Sequence, residues 1–269
     1  MDSTNTKIEI FESSEFLARR AAEEFAAAAD AAVNTRGCFT VALAGGSTPR
    51  SLYELLADNR ASFRWRVPWD RCHLFWGDER HVPPDHPDSN YRMALEAMIS
   101  KLSLAPHNVH RIYSEHPQAQ QAADEYEEDL QEFFHLTAGA LPRFDLVLLG
   151  MGPDGHTASL FPGSDALHEH KRIVASPWVG KFSTSRITLT APVLNNARQI
   201  IFLIAGSDKA ETLREILYGR HQPDTYPAQL INPTAGNLLW MVEKSAATSL
   251  PRMDSTVSSI ITAENQSRP

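Results

Sequence analysis

Short apolar runs alternate with amphipathic stretches along most of the chain. The apolar runs are rich in Val, Ile, Leu and aromatic residues and lie at 38–44, 72–76, 144–149, 172–176, 186–190, 200–205 and 237–242. Runs this short predict strands, most of them buried. Patterns typical of helices lie between several of them, at 49–59, 90–102, 117–135 and 207–218. This alternation predicts an α/β fold with a mostly parallel, Rossmann-like sheet and helices on both of its faces.

The two ends of the chain differ in character. Residues 12–34 are rich in Ala, Glu and Arg and end at the stop signals Asn34 and Gly37, which predicts a helix. No linker interrupts the pattern before residue 245, so we expect a single domain over 1–245. Residues 246–269 mix Ser, Thr and charged side chains, a composition that favours a loosely ordered tail.

Composition narrows the class of protein. The chain has 269 residues, of which 42% are hydrophobic, and this is ample for a buried core. Its formal net charge of −8 argues against nucleic acid or an anionic membrane as a partner, because both are bound through broad basic surfaces. A small anionic substrate stays compatible, since local cations and helix termini can outweigh the overall charge. The sequence gives no sign of an obligate protein partner.

Signals for export or membrane insertion are missing from the sequence. The N-terminal segment MDSTNTKIEIFESSEF has neither the basic region nor the apolar core of a secretory signal. No stretch reaches the ~20 apolar residues that a membrane-spanning helix needs. We therefore expect a cytoplasmic protein. In that compartment Cys38 and Cys72 are expected to be buried free thiols, with a disulfide between them as the alternative.

The stretch from Phe144 to Gly163, FDLVLLGMGPDGHTASLFPG, is the most informative for chemistry. An apolar strand runs into a glycine-rich loop with Asp154 and His156, and ligands of open α/β proteins collect beyond the carboxyl ends of the strands. The loop also matches the dinucleotide pattern G-x-G-x-x-G. That site further needs a helix at its third glycine and an acidic residue about 20 positions on, where this chain has Ala175. We therefore expect no nicotinamide cofactor.

A second glycine-rich turn, Gly45-Gly46-Ser47-Thr48, follows the first apolar run. We place Thr48 as the N-cap of the next helix and Pro49 as its first residue. The glycines let the backbone approach a ligand closely, and free N–H groups at a helix N-terminus favour an anion such as phosphate. The spacing is not that of a nucleotide P-loop, and an ordinary tight turn is an equally good interpretation.

Charged side chains lie next to three further strands. Asp78 and Arg80 follow the run 72–76, where they either contact a substrate or form surface salt bridges. Lys209 falls in the first turn of a helix, where a cation opposes the helix dipole unless an anion compensates for it. This position favours phosphate binding by Lys209. Arg186 begins another strand and suits either substrate binding or an ion pair with an acidic neighbour.

Other chemistries leave no signature. The chain has 11 histidines but neither H-E-x-x-H nor C-x-x-C, so we expect no metal site. No G-x-S-x-G elbow indicates a serine hydrolase. Any hydrolysis is therefore expected to use an activated water.

Four loops together carry a resemblance to a known family. In chain order they are VALAGGSTPRSLYELL, FWGDERHVPPDHPDSNYRMA, FDLVLLGMGPDGHTASLFPG and IIFLIAGSDKAETL. They resemble the glucosamine-6-phosphate deaminase/6-phosphogluconolactonase family over roughly residues 10 to 245. The resemblance implies a single domain related to the glucosamine-6-phosphate deaminase and ribose-5-phosphate isomerase folds. It also implies hydrolysis of 6-phospho-D-glucono-1,5-lactone to 6-phosphogluconate, the second step of the oxidative pentose phosphate pathway, without metal or coenzyme.

Two other functions stay open. The pattern of glucosamine-6-phosphate deaminase resembles the same loops but has a glutamate just before the proline, where this chain has Phe161 before Pro162. Phenylalanine cannot relay a proton, which disfavours deamination. The third function is that of a non-catalytic sugar-phosphate sensor, although no output module is visible in the sequence. The pair formed by Asp154 and His156 favours an enzyme.

The lactonase hypothesis gives the candidate residues distinct roles. His156 removes a proton from the water that attacks the lactone carbonyl, and Asp154 orients either His156 or the substrate hydroxyls. The residues expected to bind the phosphate and the sugar ring are Gly45, Gly46, Ser47, Thr48, Asp78, Arg80, Arg186 and Lys209.

Overall fold

The computed structural model describes residues 5–251 and 260–261. Its strands are β1 Asn5–Phe11, β2 Phe39–Leu43, β3 Cys72–Trp76, β4 Asp78–Arg80, β5 Leu146–Leu149, β6 Val174–Ala175, β7 Trp178–Val179, β8 Thr184–Leu189, β9 Gln199–Ile204, β10 Asn237–Glu243 and β11 Ile260–Ile261. Its helices are α1 Ser14–Arg36, α2 Ser47–Ala57, α3 Phe63–Arg66, α4 Asn90–Ala97, α5 Ala119–Phe133, α6 Ala191–Asn195 and α7 Ala210–Tyr218.

A seven-stranded sheet forms the centre of the fold. Its order is β11-β1-β10-β9-β5-β2-β3, and all its strands except β11 run parallel. The central strands β2, β5 and β9 are hydrophobic and almost fully buried, as expected for a parallel sheet covered on both sides. The predicted α/β fold with a mostly parallel sheet is confirmed.

Helices cover both faces of this sheet. Phe39 pairs in register with Cys72, so Phe39 and Phe75 point to opposite faces. Phe39 packs edge-on against Phe25 of α1, with 5.2 Å between the ring centroids. Phe75 packs in the same way against Phe133 of α5, at 5.1 Å. The predicted placement of helices on both faces is thus also confirmed.

A smaller antiparallel sheet continues from the end of β3. Its order is β4-β8-β6, and β7 also pairs with β8. Gly77 joins the two sheets, because its N–H donates to the carbonyl of Leu43 and its carbonyl accepts from the N–H of Leu189. The buried Glu79 of β4 accepts the backbone N–H groups of Asn90 and Tyr91, each at 2.8 Å, which holds the start of α4. The charged segment after β3 is therefore a strand with a structural glutamate.

The strand β1 was not predicted from the apolar pattern. Ile8 of this strand is buried, whereas Ile10 is 45% exposed. Lys7 forms an ion pair with Glu9. Such a charged strand gives a weak apolar signal, and its place in the sheet follows from its parallel pairing with β10 along all seven residues.

The domain boundary at residue 245 and the loosely ordered tail over 246–269 stay predictions. Residues 252–259 and 262–269 lie outside the described residues. Among the described ones, Ala246 is buried and Ile260–Ile261 pairs antiparallel with Thr6 and Lys7 of β1.

Both cysteines are free thiols, as expected, although only Cys72 is buried and Cys38 is half-buried. Burial raises the pKa of the Cys72 thiol. None of the helices within the described ranges is long and apolar enough to cross a membrane.

Two buried tyrosines complete the strands at one edge of the main sheet. The Tyr53 hydroxyl donates to the carbonyl of Ala44 at 2.9 Å and accepts its N–H at 3.0 Å. The Tyr126 hydroxyl does the same at Trp76, at 3.0 and 2.9 Å. Each tyrosine thus pairs both backbone groups of a residue that directly precedes a glycine turn. Burial raises the pKa of both phenols, so both hydroxyls stay protonated and able to donate.

We expect Tyr53→Phe and Tyr126→Phe each to lower the free energy of unfolding by about 1–3 kcal/mol, because each leaves a buried N–H and carbonyl unpaired. Tyr113→Phe is the control, since Tyr113 is 45% exposed. Urea denaturation measures the change. An unfolding midpoint as high as that of the control for both variants would show that these hydrogen bonds are energetically unimportant.

Candidate active site

The predicted site residues converge at the carboxyl edge of the parallel sheet. A cavity of about 200 Å³ lies there, beyond the ends of β2, β3, β5 and β9. The predicted residues that line it are Gly45, Gly46, Ser47, Thr48, Asp78, Arg80, His156 and Lys209. Asp154 lies directly behind His156, and Arg186 lies on β8 beside Arg80 without lining the cavity.

A hydrogen bond joins the carboxylate and the imidazole of the loop after β5. The Nδ1 of His156 lies 2.5 Å from Oδ1 of Asp154. The other carboxylate oxygen, Oδ2, accepts from Nζ of Lys181 at 3.0 Å. The contact with His156, followed by that with Lys181, holds the pKa of the Asp154 carboxyl far below its usual range. Because Nδ1 is engaged with the Asp154 carboxylate, Nε2 is the nitrogen of His156 that is not occupied by this hydrogen bond.

The path of this loop depends on its glycines. A Cβ at Gly152 would lie 2.1 Å from both Cε1 and Nδ1 of His156 and 2.7 Å from Oδ1 of Asp154. The backbone then turns through Gly155, which has a positive φ of 79°. The hydrogen bond from the N–H of Gly152 to the carbonyl of His156, at 2.9 Å, closes the loop. Gly152 therefore makes room for the His156 ring, whereas Gly155 provides the positive φ of the turn.

The first glycine-rich turn leads into the N-terminus of α2. Gly46 is the N-cap, with a φ of 99°, and no side chain caps the helix. The helix begins at Ser47, so the prediction of Thr48 as N-cap and Pro49 as first residue is wrong. The left-handed backbone at Gly46 makes the turn earlier than the Pro49 signal indicated. As a result, Ser47 and Thr48 carry backbone N–H groups that the helix itself leaves without acceptors.

Asp78 is held by neighbours that the sequence patterns did not single out. Its Oδ2 accepts from the hydroxyl of Ser159 at 2.7 Å, and its backbone carbonyl accepts from the side-chain amide of Asn90 at 2.9 Å. All three side chains are buried to at least nine-tenths. Asn90 fits because Gly45 has no side chain: a Cβ there would lie 1.9 Å from Oδ1 of Asn90. Only the tertiary structure brings these four segments together.

Two cations line the cavity, and a third lies nearby. Lys209 is half-buried, donates to the carbonyl of Ala205 at 2.8 Å, and has its pKa lowered by burial. The Arg80 guanidinium donates to the carbonyl of Asp88. Arg186 faces Arg80 across the β4–β8 pair. Burial, followed by the charge of Arg80, lowers the pKa of Arg186. The edge of the cavity is thus locally positive although the chain as a whole is acidic.

Comparison with known proteins identifies the family of the chain. The sequence profile of the glucosamine-6-phosphate isomerases/6-phosphogluconolactonase matches residues 12–240. The chain belongs to this family. A 6-phosphogluconolactonase of Synechocystis sp. is 44% identical over 220 residues, which are 81% of this chain and 88% of the relative. The solved 6-phosphogluconolactonase from Trypanosoma brucei has a TM-score of 0.80 and 27% identity, and the match covers 93% of this chain and 100% of that one.

The family also includes the deaminase branch. A monomeric glucosamine-6-phosphate deaminase matches with a TM-score of 0.74 and 19% identity over 90% of this chain and 99% of its own, which shows a shared fold. The family and the fold that the four loops implied are both confirmed. The position that separates the two branches in sequence, Phe161, is buried and stacks on His156 with 4.2 Å between the ring centroids.

Several residues of this family site had no sequence signal. Lys181 lies in a short exposed turn and meets Asp154 only through the fold. Ser159 and Asn90 are common polar residues whose role depends on burial beside Asp78. The glycine pattern did contain Gly152, but its function follows only from its distance to the imidazole. Within residues 5–251, no group of three or more His, Cys, Asp or Glu side chains is placed to hold a metal ion.

We expect Gly152→Ala to lower kcat by about 10²-fold or more, because the new Cβ must displace the His156 ring from its position beside Asp154. Gly139→Ala is the control, since a Cβ there meets nothing within 4 Å and the residue does not line the cavity, while its φ of 78° imposes backbone strain without touching the site. Steady-state kinetics of purified, folded variants with 6-phosphogluconolactone as substrate measure the effect. If Gly152→Ala turned over as fast as the control, the position of the imidazole would not matter for the reaction.

Proposed function

We propose that this protein hydrolyses 6-phospho-D-glucono-1,5-lactone to 6-phosphogluconate, the second step of the oxidative pentose phosphate pathway. The observation that carries the proposal is the hydrogen-bonded pair of Asp154 and His156 at a cavity lined by Arg80 and Lys209. This arrangement places a base next to a site for an anion, in a chain of the family that includes the 6-phosphogluconolactonases. The expectation that neither metal nor coenzyme takes part belongs to the same proposal.

His156 is the proposed general base. The carboxylate of Asp154 accepts a hydrogen bond from Nδ1–H of His156. This leaves Nε2 unprotonated, so that it can take a proton from water. The hydroxide thus formed adds to the lactone carbonyl, and the Asp154 charge stabilises the resulting imidazolium. When the tetrahedral intermediate collapses, the bond from C1 to the ring oxygen breaks and the imidazolium returns the proton to that oxygen. His156 is thereby neutral again. The new carboxylic acid then ionises and releases a proton to the solvent.

The phosphate is proposed to bind where α2 begins. Backbone N–H groups of Ser47 and Thr48 and the positive end of the helix dipole attract an anion there. Lys209 and Arg80 add two cationic side chains to the same cavity. Asp78, held by Ser159, is an acceptor for sugar hydroxyls. Arg186 is proposed to contribute to substrate binding through its place beside Arg80.

Deamination of glucosamine 6-phosphate is the alternative, and Phe161 argues against it. A phenyl ring stacks on His156 where the deaminase pattern has a glutamate. The ring supports the imidazole but neither donates nor accepts a proton, so ring opening would lack a catalytic group. A sensor without turnover has no specific support among the described contacts. A cytoplasmic location is part of the proposal, and imaging of a fluorescent fusion would test it.

We expect His156→Ala to lower kcat by about 10²- to 10⁴-fold through loss of the general base. Asp154→Asn should lower kcat by a similar factor. The uncharged amide is a weaker acceptor for the Nδ1–H of His156 and does not stabilise an imidazolium. The assay is acid release from freshly generated lactone, corrected for the spontaneous rate. Glucosamine 6-phosphate with ammonia detection serves as the parallel substrate.

Each outcome of this assay has a distinct meaning. Rapid acid release by the wild type alone supports both the lactonase function and the base. A wild type that releases ammonia without accelerating lactone hydrolysis would establish the deaminase. An inert wild type that binds 6-phosphogluconate would instead support the sensor.

We expect Lys209→Met to weaken binding of 6-phosphogluconate by about 10- to 100-fold, as loss of a charged hydrogen bond does, with a smaller effect on kcat. Because burial lowers the pKa of Lys209, the cationic form is lost at a lower pH than for a free lysine. Wild-type affinity should therefore fall with rising pH earlier than an ordinary lysine would cause, and Lys209→Met should remove this part of the pH dependence. Isothermal titration calorimetry at several pH values measures the affinity for 6-phosphogluconate and its pH dependence. Lys171→Met is the control. Equal affinities of Lys209→Met and Lys171→Met would exclude Lys209 from the site.

A further inference from the structure

A hairpin from the smaller sheet reaches the catalytic pair from outside the cavity. Its strands are β7 and β8, which pair antiparallel through Trp178 with Ser185 and Val179 with Thr184. The short turn Gly180–Phe182 closes it. None of the residues in that turn lines the cavity. The hairpin therefore reaches the site in two ways: β8 pairs with β4 beside Asp78 and Arg80, and side chains at the tip approach the catalytic pair.

Two contacts connect this tip with the catalytic pair. Nζ of Lys181 lies 3.0 Å from Oδ2 of Asp154, the oxygen that is not engaged with His156. Phe182 packs edge-on against Phe161, with 5.8 Å between the ring centroids, and Phe161 in turn stacks on His156 at 4.2 Å. The tip thus contacts Asp154 directly, through an ion pair, and is connected to His156 indirectly, through the ring of Phe161.

The base of the hairpin fixes the direction of the tip. The backbone N–H of Arg186 donates to the carbonyl of Pro177 at 3.0 Å, and its guanidinium lies 5.2 Å from the ring centroid of Phe182. Ser183 takes a left-handed φ of 47° to close the turn. A left-handed conformation is uncommon for serine and is maintained by its surroundings. These contacts hold Lys181 where its ammonium meets Asp154.

From these contacts we infer that Lys181 is a positioning residue of the active site, which acts through Asp154 on His156. The inference rests on the proposed function. By holding Oδ2, the ammonium keeps the carboxylate rotated so that Oδ1 faces Nδ1 of His156. It also neutralises part of the charge that the carboxylate presents to the imidazolium. Lys181 itself touches neither water nor substrate in this role.

A purely structural role explains the contact less well. The Lys181 side chain is 57% exposed, and exposed ion pairs contribute little to the free energy of unfolding. The carboxylate it contacts, by contrast, is only 26% exposed and is already bound to the proposed base. Removal of Lys181 should therefore affect the reaction more than the stability of the fold.

Among the described contacts, no hydrogen bond or ion pair joins Lys181 to the other charged groups near the pair. They are Asp78, Arg80 and Lys209, which line the cavity, and Arg186, which packs on Phe182. A change in the pH dependence of the Lys181 variant is therefore attributable to the ion pair with Asp154. Without the ammonium, the full carboxylate charge acts on the imidazolium and favours it. The acidic limb of the pH–rate profile should then move to higher pH.

The experiment compares Lys181→Met, Lys181→Arg and Lys171→Met in the lactone assay. We expect Lys181→Met to lower kcat by about 3- to 10-fold at neutral pH, with KM nearly unchanged, and to shift the acidic limb to higher pH. Lys181→Arg should restore most of kcat, because a guanidinium can also donate to Oδ2. Lys171, an exposed lysine of another loop, should be replaceable without effect.

A double-mutant cycle gives the sharper test. If Lys181 acts through Asp154, then Lys181→Met should have no further effect in the Asp154→Asn background. An additive loss in the double variant, an unshifted pH profile, or a rise in KM at constant kcat would each overturn the inference. Failure of the proposed function is recognised separately, because the wild type itself would then not accelerate lactone hydrolysis.

Discussion

The parallel pairing of β2, β3, β5 and β9 is the constraint on which the site depends. Parallel strands end at the same edge of a sheet, so the loops that follow them meet there whatever their distance along the chain. Backbone hydrogen bonds in register from β3 to β9 set the positions of these ends. At the ends of β2 and β3, the buried hydroxyls of Tyr53 and Tyr126 form hydrogen bonds with the backbone N–H and carbonyl groups of Ala44 and Trp76. The positions of these strand ends therefore determine the shape of the cavity.

Close packing at this edge requires residues without side chains. Gly45 and Gly152 leave the space that Asn90 and the His156 ring occupy, with distances of about 2 Å from a hypothetical Cβ. In both cases the glycine serves a neighbour across the site, and its own backbone conformation is unremarkable. Gly46 and Gly155, by contrast, are needed for their positive φ angles. Sterics and backbone conformation thus give the same residue type two different roles in one site.

Charge is organised locally in a protein whose net charge is negative. Lys209 and Arg80 line the cavity near the start of α2, where a helix dipole also favours an anion. Behind His156, the contacts of Asp154 with His156 and Lys181 hold the pKa of its carboxyl low. The hairpin that carries Lys181 extends the functional unit beyond the cavity to the smaller sheet.

The sequence by itself determined the strand and helix pattern, the parallel sheet, and the loops with Asp154, His156, Asp78, Arg80 and Lys209. These features follow from hydrophobic periodicity and from the rule that ligands collect at strand ends, both of which are local or topological. It did not determine the N-cap of α2, the charged strand β1, or the partners Asn90, Ser159 and Lys181. Those depend on distances between segments far apart in the chain, such as the 3.0 Å contact between Lys181 and Asp154. Only the tertiary structure decides such contacts, because a polar residue acquires its role from burial and from the neighbour that packing brings to it.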